Sequence, residues 1–169
     1  MGQVGRGAGA IVTDYFAAPT DALAATVARQ PDGPSSAARG SGEALFDTVR
    51  MPSVDPFVML GTLAGHLCRR PYGEVTGNPR HGIVLTGGAE GPWVATVSDV
   101  VAVELAAASP EHLADVAVLA AGPTGPVGAG ADDLATALRE LGELAARALA
   151  VRHALYCWTV LTDEVSRAG

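Results

Sequence analysis

Thr62, His66 and Arg69 recur at helical spacing in the segment FVMLGTLAGHLCR and share one stripe, opposite a face made by Leu60, Leu63, Ala64 and Leu67. A hydroxyl, an imidazole and a guanidinium in one row can hold a small anion, with His66 giving or taking a proton. A solvated helix face is the plainer account of the same pattern. Gly61 and Gly65 lie between the two faces and would let a ligand or another backbone come close. Asp47 is the second candidate. In a strand over 44–49 it falls on the face of Leu45 and Val49, which would turn its carboxylate inward. A buried carboxylate must be paired or hydrogen-bonded and makes a candidate acid or base; a strand-end Asp shaping a turn is the simpler alternative. Catalytic roles therefore fall to His66, Asp47 and Arg69, and ligand contact to Thr62.

In a chain with only 5% aromatic residues, Tyr156 and Trp158 also stand out. They alternate with Leu155, Cys157 and Thr159 along LYCWTVL, so both rings share one face with Val160. Each offers an apolar plate with a polar tip, suited to lining a ligand pocket as well as to packing a core. His81 and Arg80 flank Pro79 in a loop, and His112 and His153 fall at helix ends.

Several chemistries have no residues to carry them. There is no phosphate-binding loop, no HExxH, no GxSxG, and no Cys/His cluster at zinc spacing, so neither metal nor cofactor is expected. The Gly-rich start MGQVGRGAG lacks a preceding strand and a ribose-binding acid, which leaves a flexible N-terminus over 1–10. Cys68 and Cys157 fit no CxxC pattern and read as thiols in a reducing cytosol. Asp14 interrupts the apolar stretch after Arg6 and argues against a signal peptide. No run approaches a membrane span, so a cytoplasmic location is expected. The formal charge of −7, with no lysine at all, disfavours nucleic acid, because phosphate binding needs clustered cations.

The elements that must position these residues can be laid out along the 169-residue chain. Apolar residues make up 49% and charged residues 17%, the balance of one globular domain, here placed at 11–162 with a tail at 163–169. The Ala- and Gly-rich composition suits a high-GC bacterial genome. IVTDYF reads as a first strand. A helix from Pro19-Thr20-Asp21 to about Gln30 follows, then a polar Gly/Pro/Ser loop. Asp55-Pro56 opens the helix that bears His66 and ends before Pro71. Residues 82–86 and 93–97 flank a Gly-rich turn and form a hairpin. Ser98-Asp99 cap a helix to Ala108, Pro110-Glu111 start a further turn, and DVAVLAA suits strand or helix. The segment 132–150 places Leu134, Leu138, Leu141, Ala145 and Ala148 on one stripe with acidic residues at its start, and a final strand follows. The fold class is α+β, a largely antiparallel or mixed sheet with helices packed on it.

This order of elements, with an Asp-led helix ending in Pro71-Tyr72 and the helix TVSDVVAVELAAASPEHL, resembles the uncharacterised bacterial YfbM-like family of small α+β proteins. Where that family carries a Trp and a His in the Asp-led helix, this chain has Leu60 and Ala64, with His66 offset by two residues. The resemblance therefore implies a fold and no activity. Two functions remain open. One is a small soluble binding or assembly protein, working as a homo-oligomer or with a second chain and taking a small-molecule ligand, with the loops at 31–42 and 122–131 as contact surfaces. The other is a cofactor-independent acid/base enzyme for elimination, isomerisation or cyclisation of a small anionic metabolite in specialised metabolism.

Overall fold

A computed structural model describes residues 10–30, 32–36, 42–51, 56–86, 91–121 and 130–162. The N-terminal segment, residues 31 and 37–41 of the polar loop, the Asp55 cap, the 87–90 turn, the 122–129 loop, the C-terminal tail and the side chain of Leu60 lie outside what it describes.

Five strands form one antiparallel sheet in the order β2-β1-β5-β4-β3: β1 Ala10–Ala18, β2 Thr48–Met51, β3 Val84–Thr86, β4 Trp93–Thr96 and β5 Ala154–Thr162. The two long strands pair at the centre over nine residues, with Asp14 opposite Trp158 and Phe16 opposite Tyr156. The α+β expectation holds, as do the antiparallel pairing of the hairpin strands and the alternation of the last strand. DVAVLAA is helical, within α5 Pro110–Ala120.

Side-chain alternation sorts each central strand into two unlike faces. Tyr15, Ala17, Val49, Met51, Leu155 and Cys157 point into a large core. It is covered by α2 Pro56–Cys68, α3 Tyr72–Thr76, α4 Asp99–Ala107, α5 and α6 Ala131–Ala150. Helix α6 follows its sequence pattern closely, burying Leu134, Leu138, Leu141, Ala145 and Ala148. Its Gly142 is required by a close approach: a Cβ there would lie 2.9 Å from the Leu105 carbonyl of α4. Ser98 caps α4 by accepting the Val101 N–H, and Ser109 does the same for His112 of α5.

The second face is thinner. Phe16, Ala18, Val94, Tyr156 and Trp158 are buried there under Ala24 of α1 Asp21–Ala25, Val27 of the 3-10 turn Thr26–Arg29, and the 3-10 turn Gly33–Ser35. The helix expected to run from 20 to 30 is thus α1 followed by a tighter turn, with Thr26 donating its hydroxyl proton back to the Leu23 carbonyl. The short strand expected at 44–49 starts later, at Thr48.

Candidate functional site

That later start overturns the inward placement of Asp47. The residue precedes β2, its carbonyl accepts the Ala17 N–H at 3.1 Å, and its side chain is 47% exposed. Strand alternation governs only residues inside the ladder, so Asp47 escapes the face shared by Val49 and Met51. Its carboxylate instead accepts from Arg147 of α6, from Nε at 2.7 Å and Nη2 at 3.1 Å.

The inward carboxylate is Asp14, in the middle of β1. It is 1% exposed, and it accepts from Arg50 of the neighbouring strand, from Nε at 2.9 Å and Nη2 at 3.3 Å. Asp14 and Arg50 are direct cross-strand partners, so the sheet register itself creates the pair. The Arg50 head remains 65% exposed. Burying a carboxylate this deeply requires its charge and lone pairs to be met, and the guanidinium fork meets both. Arg50 is in turn held further towards its charged form, first by the hydrogen bonds it donates to Asp14 and second by the charge of that carboxylate.

Two grooves lie on either side of segment 44–48. One, of about 540 Å³, is lined by Asp14, Arg50, Ser35, Ala44, Phe46, Asp47 and Thr48. The other, of about 300 Å³, is lined by Leu45, Phe46, Asp47, Arg147, Val151 and His153, with Ala17 and Ala148 at its base. Phe46 and Asp47 belong to both, so this short segment is a partition with an ion pair on each side. Together the grooves offer two guanidinium forks, two carboxylates, an imidazole and two hydroxyls, an arrangement suited to holding a small polar molecule and to moving a proton.

The α2 stripe is placed differently. His66 and Arg69 are exposed and Thr62 is half-buried, on the side of α2 away from the buried Leu63, Ala64 and Leu67. Arg69 sits at φ 54, in the left-handed region, where the chain leaves the helix. Neither groove is lined by any of the three, and Asp47 pairs with Arg147 and shares a groove with His153 where the sequence suggested His66 and Arg69. His112 reaches from α5 to the Leu67 carbonyl in the last turn of α2, with its Nε2 at 3.0 Å.

Tyr156 and Trp158 share the second face, as their alternation requires. Tyr156 donates to Asp21 Oδ1 at 2.6 Å, and Arg80 grips the same carboxylate with Nη2 at 2.8 Å and Nη1 at 3.2 Å. The Arg80 hydrogen bonds, then that of Tyr156, hold the Asp21 carboxyl below its usual range. Burial, then the Asp21 contact, raises the Tyr156 hydroxyl above its ordinary value. The polar tip of Tyr156 is thus committed to a clamp between α1 and the 78–83 loop. His81 in that loop is pulled towards its neutral form by burial.

Asp14 and Arg50 are the residues of the candidate site that the sequence reading missed. The available signal was a charged residue in the middle of IVTDYF, a strand otherwise apolar and aromatic. Among the described residues, no cluster of three His, Cys, Asp or Glu side chains is arranged to hold a metal ion. No described helix is long and apolar enough to cross a membrane. No protein-family model matches the chain, and no curated protein or solved structure matches it significantly.

Proposed function

We propose that this is a small binding protein, acting as an oligomer or with a second chain, whose ligand is a small molecule held in the groove beside Asp14 and Arg50. One observation carries the reading: a carboxylate 1% exposed in mid-strand forms the wall of an open groove. A residue serving only to pack the sheet would be cheaper as an apolar side chain, since a buried ion pair adds little or no net stability over one. A charge placed at a groove wall favours recognition of a polar ligand. Exposed Val100 and Val103 on α4, Val118 and Leu119 on α5, and Leu149 and Val151 at the end of α6 support a role for protein–protein contact. Residence in a bacterial cytoplasm belongs to the same proposal.

Titration calorimetry against a panel of polar metabolites tests the groove. Binding should weaken in Asp14→Asn and Arg50→Gln and persist in His66→Ala. A ligand that bound all three variants equally would dismiss this site. Light scattering at the highest attainable concentration tests assembly, and a monomer with no co-purifying chain would remove that half of the proposal.

The second reading, a cofactor-independent acid/base enzyme acting on a small anionic metabolite, is favoured by one observation: His153, Asp47 and Arg147 line a single groove. An imidazole can carry a proton near neutral pH while a guanidinium holds an anion. Loss of turnover in His153→Gln, with ligand binding retained, is the result that reading requires.

A further inference from the structure

Trp158 carries a polar atom that the fold leaves unused. The residue is 4% exposed, and its indole N–H meets no acceptor among the described residues. Its backbone sits directly opposite Asp14 on β1 and Val94 on β4, in the middle of the second face. Above the ring lies Gly33, at φ +60, where a Cβ would come within 2.5 Å of the indole. Only a residue without a side chain lets the backbone lie this close in that conformation. Asp14 and Ser35, the neighbours of Trp158 and Gly33, form the wall of the larger groove. Among the described residues, two bonds tie the turn over the ring to the next segment, the Leu45 N–H to the Ser36 carbonyl at 2.8 Å and the Phe46 N–H to the Pro34 carbonyl at 3.3 Å; its other bonds are local, within residues 30–36.

A buried donor without an acceptor is unfavourable, and it becomes favourable once a ligand supplies one. We infer that the groove's ligand carries a carbonyl or carboxylate oxygen on a flat apolar body, and that Trp158 is the residue that reads it. Displacement of the Gly33–Ser35 turn uncovers the ring and its N–H edge, the flat body packs across that edge, and the indole N–H donates in the ring plane to the oxygen. The outer N–H groups of Arg50, which Asp14 leaves free, serve the same oxygen or its partner. Both reading groups are donors only, so the oxygen they read must accept; an amine of the same shape would turn instead to the carboxylates of Asp14 and Asp47 in the groove wall and leave the indole N–H unmet. The inference rests on the groove being the binding site.

Benzoate is the probe, with benzylamine as the matched amine, on the full chain with nitrogen-15 in its two indoles, Trp93 and Trp158. Trp93→Phe assigns the two resonances. Benzoate should shift the Trp158 indole resonance to saturation, benzylamine should not, and Arg50→Gln should weaken benzoate by about tenfold or more. A benzoate site that depends on Arg50 but leaves the Trp158 indole unmoved would overturn the role of Trp158 and spare the groove. Absence of benzoate binding would overturn the ligand class, while the metabolite titrations decide the groove separately. Hydrogen exchange on the unaltered protein reads the cover. After correction for intrinsic rates, the Trp158 indole N–H should exchange about 100-fold faster than the β5 amides, as local opening requires. Equal rates would mean that the turn opens only with global unfolding, and the cover would be refuted.

Discussion

Two Arg–carboxylate forks flank the same five residues, and their geometries are nearly the same. Arg50 holds Asp14 at 2.9 and 3.3 Å, and Arg147 holds Asp47 at 2.7 and 3.1 Å. By distance the second is the tighter pair. Burial reverses the ranking: Asp14 is 1% exposed, whereas Asp47 and Arg147 are each about half exposed. Water screens and replaces the outer pair, but it meets only 1% of the inner carboxylate's side chain. The worth of an ion pair is therefore set by what its loss leaves behind, not by its bond lengths.

The largest effect should come from Arg50→Ala, which strands a buried carboxylate and should cost about 3–5 kcal/mol in urea unfolding. Asp14→Asn should cost less, roughly 1–3 kcal/mol, because the partner it leaves is already hydrated. If the two substitutions cost the same, the burial argument fails. Tyr156→Phe keeps the packed ring and removes one hydrogen bond to a charged acceptor, for about 1.5–3 kcal/mol. Arg147→Ala should cost at most about 1 kcal/mol, and added salt should erase even that. A double-mutant cycle at each fork gives the coupling energies directly.

The pH profile extends the contrast to the second face. The His81 imidazole has its pKa lowered from 6.5 by burial, so the unfolded chain takes up that proton first. Stability should be full above 6.5 and fall as pH drops from there towards the lowered value. The Asp21 carboxyl has its pKa lowered from 3.8, so its contribution is present above 3.8 and is lost as pH falls further. Urea midpoints across pH should show two descents, and His81→Gln should remove only the upper one. A single descent unaffected by that substitution would contradict the burial of His81.

Much of the architecture was legible because it is local. Helix α6, the Ser98 cap, the hairpin strands and the faces of β5 follow from periodicity and capping chemistry within a few residues. The polar side of α2 was legible too, and His66 and Arg69 are exposed there as a solvated helix face would have them. What misled was Asp47. Its alternation with Leu45 and Val49 is real in the sequence, but the ladder begins one residue later and the rule does not reach it.

The sequence by itself determined the α+β class, the apolar stripes, and a charged residue placed inside a β-rich segment at Asp14. Only the tertiary structure decided which carboxylate is buried, which arginine answers it, and that Gly33 lies on Trp158. The physical reason is separation along the chain. Asp14 and Arg50 are 36 residues apart, and Asp47 and Arg147 are 100 apart. Such pairs are set by strand register and helix packing, which no local pattern encodes.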